Sequence, residues 1–527
     1  MRTKIVTAAA ALALMGAGAL TVPAAYADQE RPAPGDTVDL QKQLSDGLAP
    51  AQSIAEIVDP TASEALDTAR RVFDGKATTR DPSATLALRD LWMKKSELTG
   101  AARREAEAML ARPTDGSSDD QGFGYTVPEA APLCNARLCL HYVPTGTDAP
   151  PSPEWAAQSL AVMDSVWTSE VDGMGYRPPV GDKGKDGGPQ FDVYLKDLGS
   201  ASLYGFCAGE KRAKKRTASG YCVLDNDFST AQFPTNTPEG NLRVTAAHEF
   251  FHAIQYAYDY AEDPWMLEAT ATWMEERYAT DVNDNLQYLP AGQLYRPDLP
   301  LDLFSRSGGQ QYGNWIFWEY LSTNYGTKVV KKAWELAGTL KKDGKRNSLG
   351  ALQKILKRKG GLTKVYATYA AGNLTPASTY PEGAAYQAPE TVRGYKVLKK
   401  GKSKRFSAKV KHLSSASYAY APGKGTSGKK AKLALRVNGP LKRTSPAVSV
   451  VVYYLDGKQK VKLVKLNPRG DGSIKVPFSS SKVAGVSVTL ANVSTRYRCN
   501  QRTLLSCAGR PLDDKARFSV VGRAVKR

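Results

Sequence analysis

The sequence predicts an α+β protein in three parts: a helical N-terminal segment, a mixed central body and an all-β C-terminal domain. Three observations predict it. Residues 61–73 and 84–109 carry helical patterning, the second stretch rich in Ala, Leu, Glu, Lys and Arg with a break expected at Gly100. Residues 128–390 place strand-like runs first and helical runs after, the order of an α+β domain. Beyond 391 the helical period vanishes, and β-branched runs such as 447–454 and 484–490 alternate with Gly, Pro and Asn-Pro turns, as in a β-sandwich. At 527 residues the chain exceeds one core.

The chain begins with the basic stretch Met1-Arg2-Thr3-Lys4, an apolar run over 5–20, and Ala25-Tyr26-Ala27 before Asp28. That order predicts a secretory signal peptide over 1–27, cut after Ala27, with a retained anchor as the competing reading. No later apolar run approaches the roughly 18 residues that span a bilayer. The expectation is therefore an extracellular protein with no stable membrane insertion.

Residues 28–127 read as a helical propeptide, or else as a permanent N-terminal domain. They end in a low-complexity linker over 113–122. A propeptide would be cut within 113–127.

Within the body, 138–143, 190–195 and 221–224 have strand character. Helices are expected over 153–168, 242–260, 265–279, 311–325, 327–338 and 348–358.

Six cysteines in an exported protein read as disulfides. They admit 15 pairings, and proximity favours Cys134–Cys139, Cys207–Cys222 and Cys499–Cys507. A structural zinc site is the competing reading, although the gaps are not of the C-x2-C type.

The net charge of +20 is unevenly placed. Of 72 Lys/Arg and 52 Asp/Glu, residues 391–527 hold 32 and 4, leaving 40 and 48 elsewhere. A basic domain on an exported protein points to anionic cell-wall polymers rather than nucleic acid, with solubility alone as the bland reading.

The chemistry concentrates in His248-Glu249-Phe250-Phe251-His252. Residues 244–260 lack Pro and Gly and predict one helix, with Asn241 as its N-cap. Positions i and i+4 share a helix face, so His248 and His252 can offer two imidazole nitrogens to one metal ion. Glu249 can reach a water at the open metal position. The competing reading is two helix histidines in a core or on a solvated face. The next helix reads Trp265-Met266-Leu267-Glu268-Ala269-Thr270-Ala271-Thr272-Trp273-Met274-Glu275-Glu276.

These two helices resemble the gluzincin group of zinc metallopeptidases, which pair an HExxH helix with a ligating Glu on the following helix. Trp265, Glu268, Ala271, Trp273 and Glu275 match W-x-x-E-G-x-A-x-[YW]-x-E in register. The region is similar to secreted bacterial metallopeptidases with HE-[FY]-F-H followed by [ML]-E-A-T-A-x-W-M-E-E. The resemblance covers about 30 residues closely. It implies a zincin-like catalytic domain over 128–390 and Glu268 as third ligand to one Zn2+. It further implies peptide hydrolysis through a zinc-bound water with Glu249 as general base, on a peptide or protein substrate. Ala269 replaces the family's Gly, the gap from His252 to Glu268 is short, and Thr272 stands where some relatives orient a histidine with Asp. A Tyr opening a downstream helix stabilises the oxyanion in such enzymes. Tyr312 matches that position, with Tyr278, Tyr288 and Tyr295 as competitors.

The alternative is a non-catalytic secreted protein that binds surface or cell-wall polymers and carries a degenerate zinc site. Glu275 and Glu276 read as partners of the ligand histidines or as a solvated face. Asp281, Asp284 and Asn285 have oxygens suited to Ca2+ but lack a recognised loop spacing, so a capped turn competes. Residues 211–216 read as a solvated hairpin tip. No Gly-rich phosphate loop and no locally supported Ser-His-Asp set stands out.

Overall fold

The computed structural model describes residues 60–75, 84–115, 123–305, 309–338, 348–387 and 389–526. The expected signal peptide and much of the linker lie outside the described residues.

The N-terminal segment forms α1 (Ala62–Phe73), α2 (Ala84–Lys94) and α3 (Gly100–Met109). Thr61 and Glu64 make a reciprocal capping box at the start of α1, an arrangement worth about 1 kcal/mol. The break in the second helical stretch falls over residues 95–99, and Gly100 begins α3 with a left-handed φ of +56°.

The body opens with β1 (Leu133–Cys134), β2 (Leu138–His141), α4 (Pro153–Trp167) and β3 (Phe191–Lys196). The hairpin β4 (Gly205–Lys214) and β5 (Thr217–Asp225) follows. The five strands form one mixed sheet in the order β1-β2-β3-β5-β4, with β4 antiparallel to β5 and on the edge.

Next come α5 (Pro238–Asp259) and α6 (Pro264–Tyr278). The helices α7 (Gln310–Gly313), α8 (Trp315–Tyr325), α9 (Lys328–Ala337), α10 (Ser348–Leu356) and α11 (Leu362–Gly372) complete the body. Two expectations need correction. The N-cap of α5 is Thr237, whose side chain accepts from Gly240 N–H, and not Asn241. Pro238 at the first helical position explains the earlier start, because its missing N–H costs nothing there. The helix expected over 311–325 is two, divided at Asn314.

Alternation along the strands decides which layer covers which face. Val193, Leu195, Cys207, Cys222 and Leu224 pack with Phe250 and Ile254 of α5. Tyr194, Phe206, Ala208, Tyr221 and Val223 face the other way, against α1 and α2. The sheet is thus covered on one face by α5 and on the other by the N-terminal helices.

The C-terminal strands are β6 (Val392–Leu398), β7 (Ser403–Val410), β8 (Ser414–Pro422), β9 (Ala431–Asn438) and β10 (Pro446–Tyr454). After them come β11 (Gln459–Leu463), β12 (Gly472–Pro477), β13 (Val483–Asn492), β14 (Tyr497–Arg498), β15 (Arg510–Pro511) and β16 (Ala516–Lys526). A five-stranded sheet, β11-β10-β13-β8-β6, and a four-stranded sheet, β12-β9-β16-β7, enclose one core. The region is β-rich, as expected.

This region is joined firmly to the body. Asp302 faces His412 Nε2 at 3.1 Å and accepts from Tyr497 Oη and Ser506 N–H. Trp265 Nε1 donates to Ser506 Oγ at 2.9 Å, and Cys507 N–H donates to Asp263 at 2.7 Å. The C-terminal loop therefore braces the start of α6.

The cysteines pair as Cys134–Cys139, Cys207–Cys222 and Cys499–Cys507. Among the described residues no helix is long and apolar enough to cross a membrane.

Candidate metal centre

Nearly every side chain of α5 and α6 is buried, so both helices are central and not surface amphipaths. The turn between them is only 260–263, closed by Pro264 at the first position of α6. This short connection brings Glu268 opposite the histidines. One ligand atom each from His248, His252 and Glu268 lies within 4.8 Å of the others, a set able to hold a metal ion.

The two imidazoles are held from behind. His248 Nδ1 lies 2.6 Å from Glu275 Oε1. His252 Nδ1 lies 2.8 Å from Gln255 Oε1, and Gln255 Nε2 in turn donates to Leu267 O and Thr270 Oγ1. With the protons on Nδ1, both Nε2 lone pairs face Glu268 Oε2, at 3.3 and 3.7 Å. Glu268 Oε1 is buried without a hydrogen-bond partner. Glu268 Oε2 between two bare imidazole nitrogens, with Oε1 orphaned beside it, fits a cation in the gap.

The carboxylates differ in charge preference. Burial works to raise Glu268, yet the adjoining imidazoles of His248 and His252 hold it down at about 2. Burial pushes Glu275 up to about 8 and also raises Glu249.

Above the triad lies a pocket of about 90 Å³, lined by Gly205, His248, Glu249, Glu275, Tyr288 and Tyr312 among others. The ring of Tyr312 is 6.2 Å from that of His248 and 5.3 Å from that of Tyr288. Of the four candidate tyrosines, Tyr312 and Tyr288 reach the pocket. Tyr278 Oη donates to Val162 O and Tyr295 Oη to Gln387 O, away from it.

Glu275 and Glu276 are buried and not a solvated face. Glu275 serves His248, and Glu276 accepts from Asn285 and Thr280. The oxygens considered for Ca2+ are engaged separately, Asp281 with Arg243 and Asp284 with Asn236 and Gln287. Thr272 is buried and its hydroxyl hydrogen-bonds neither histidine; the support behind His252 is Gln255. The 211–216 stretch does form the β4–β5 hairpin tip, with Arg216 ion-paired to Asp259.

Besides Gln255, one further contact has no signal in the sequence. Thr85, at the start of α2, donates through Oγ1 to Glu249 Oε2 at 2.8 Å and accepts from Cys207 N–H at 2.9 Å. Further along, Trp92 Nε1 donates to Glu210 O. Seven residues of helix and three of strand both span roughly 10 Å, so α2 runs along the outer edge of β4. The segment is anchored beyond α3 by Arg112, 1% exposed, which reaches Asp182, Asp192 and Glu210 at 2.6–2.7 Å.

No protein-family model matches the chain. The chain is similar to myelin expression factor 2 of Mus musculus, 31% identical over 93 residues. That stretch spans 16% of this chain and 16% of the mouse protein, too little of either to bear on the site.

Proposed function

We propose that this chain is a zinc-dependent metallopeptidase with a zincin-like catalytic domain, exported with its N-terminal helices as a propeptide. The observation that carries the reading is the convergence of His248, His252 and Glu268, with Glu249 on the same helix and lining the same pocket. Two imidazoles and one carboxylate are a donor set suited to zinc, with a position left open. Bound there, zinc would polarise a substrate carbonyl and acidify a water molecule.

The chain's own groups supply the rest. Glu249, raised by burial, takes the proton of the attacking water and delivers it to the leaving amine. Tyr312 donates to the oxyanion from the pocket wall. The unpaired edge of β4 offers backbone groups to an extended peptide passing Glu249. Gly205 belongs at this edge, since a Cβ there would lie 3.1 Å from Glu249 Cγ.

In the full chain α2 takes that peptide's place. Thr85 occupies both the Cys207 N–H and a Glu249 oxygen, which is the arrangement of a latent enzyme. Cleavage within 113–127 would free the segment, with Arg112 as its last buried hold.

The test is hydrolysis of a protein substrate by the chain after limited proteolysis in that linker. The reading expects activity that chelators remove and that Glu249→Gln abolishes while metal is retained. Equal activity in Glu249→Gln would overturn it.

A further inference from the structure

Side chains alternate between the faces of a strand, and in the four-stranded sheet of the C-terminal region the inward set is plain. Leu433, Leu435 and Val437 on β9 and Phe518, Val520 and Ala524 on β16 are buried in the core. Their neighbours point outward: Lys432 and Arg436 on β9, Arg523 on β16, Arg405 on β7 and Lys475 on β12. The register sets Arg523 opposite Ala434, Arg405 opposite Val521, and Lys475 opposite Ala434 from the other side. Four of these cations line a trough of about 800 Å³ floored by Ala434, Val521 and Val525. Lys409 and Arg517, paired across β7 and β16, continue the charge toward one end.

The outward positions of these four strands hold no carboxylate and no aromatic ring. Among the described residues none of the five cations makes an ion pair. The opposite sheet is the one turned to the body: Ser449 Oγ donates to Ala367 O of α11, and Ala371 packs on Val451, Tyr453 and Ala484. The cationic face therefore looks away from the body.

We propose that this face binds a linear, flexible polymer of phosphodiester units that carries no bases. Three of the five cations are Arg, whose planar fork matches phosphate oxygens bidentately. Outward residues stand about 6.8 Å apart along a strand and about 4.8 Å apart between strands, so a flexible chain can meet several at once. The absence of any ring removes the stacking platform on which single-stranded nucleic acid relies. No Glu or Asp stands at an outward strand position, and the carboxylate at the border of the face, Asp471 before β12, accepts from Asn438. The enzyme body would thus be held on a phosphate-bearing surface with its pocket free.

The experiment titrates the full chain with an abasic deoxyribose-phosphate oligomer, with oligo(dT) of the same length, and with polyglutamate. Binding is read by fluorescence anisotropy, independently of any peptidase activity. The abasic oligomer should bind with a log–log salt slope of about −3 to −4, from about five neutralised phosphates. Arg436→Gln with Arg523→Gln should weaken it by about tenfold or more. The equal charge change Lys460→Gln with Lys482→Gln should leave it within about twofold. Polyglutamate should bind more weakly, and oligo(dT) no more tightly than the abasic chain. Equal losses in the two double variants would reduce the effect to net charge and overturn the proposal. So would the absence of binding, polyglutamate binding as tightly, or a marked preference for oligo(dT).

Discussion

Thr85 and Glu249 stand 164 residues apart in sequence, yet the threonine hydroxyl donates to the glutamate carboxylate at 2.8 Å. A buried hydrogen bond to a charged group is worth about 1.5–3 kcal/mol, which converts to about 10- to 100-fold in the equilibrium between docked and undocked α2. Thr85→Val keeps the shape and removes the bond. It should raise the residual proteolysis of the uncleaved chain by about tenfold or more, while the linker-cleaved enzyme is unaffected. A variant as silent as the parent would show that α2 does not restrain the site.

Gln255 is the residue behind His252, and its own amide is fixed by Leu267 and Thr270. Removing such a support typically costs 10- to 100-fold in metal affinity. Gln255→Leu should show that loss in competition with a chelator, and Gln255→Glu, which keeps an acceptor, should show less. Unchanged affinity in Gln255→Leu would remove the residue from the metal centre.

Tyr312 and Tyr288 both line the pocket, and only the former is assigned to the oxyanion. Loss of one oxyanion donor costs about 10²–10³ in kcat. Tyr312→Phe should show this with KM and metal content little changed, and Tyr288→Phe should not. The reverse pattern would exchange their roles.

His141 joins β2 to the carboxylates of Glu129 and Asp192. Burial disfavours its charged form, but those two acids outweigh this and raise it from 6.5 to about 9. The folded state thus keeps a proton that the unfolded chain releases, and the stabilisation is complete below about pH 6.5 and lost as pH rises through about 9. Denaturant titrations should show stability falling across that window, by up to about 1.4 kcal/mol per pH unit from this group. His141→Gln should flatten that fall. A fall of the same steepness in the variant would place the titration elsewhere.

The pairing of His248 with His252 was legible because i and i+4 lie on one helix face, and the resemblance of the next helix pointed to Glu268. Gln255 was not, since a glutamine three residues past a histidine has no pattern of its own. Thr85 could not be found from local sequence, because its role depends on α2 lying along β4. The start of α5 was misplaced although Pro238 signalled it after Thr237. The helix α11, Leu362–Gly372, escaped notice among Ala, Thr and Tyr residues of mixed propensity. In the C-terminal region the β-branched runs revealed strands. The pairing of β16 between β9 and β7, which gathers the cations on one face, joins segments remote in sequence.

The most direct test of the metal centre is the metal content of the purified chain, measured by mass spectrometry of the elements alongside its Glu268→Ala variant. The account predicts about one zinc per chain and a large loss in the variant. A parent chain that holds no zinc, or a variant that holds it as tightly, would contradict it.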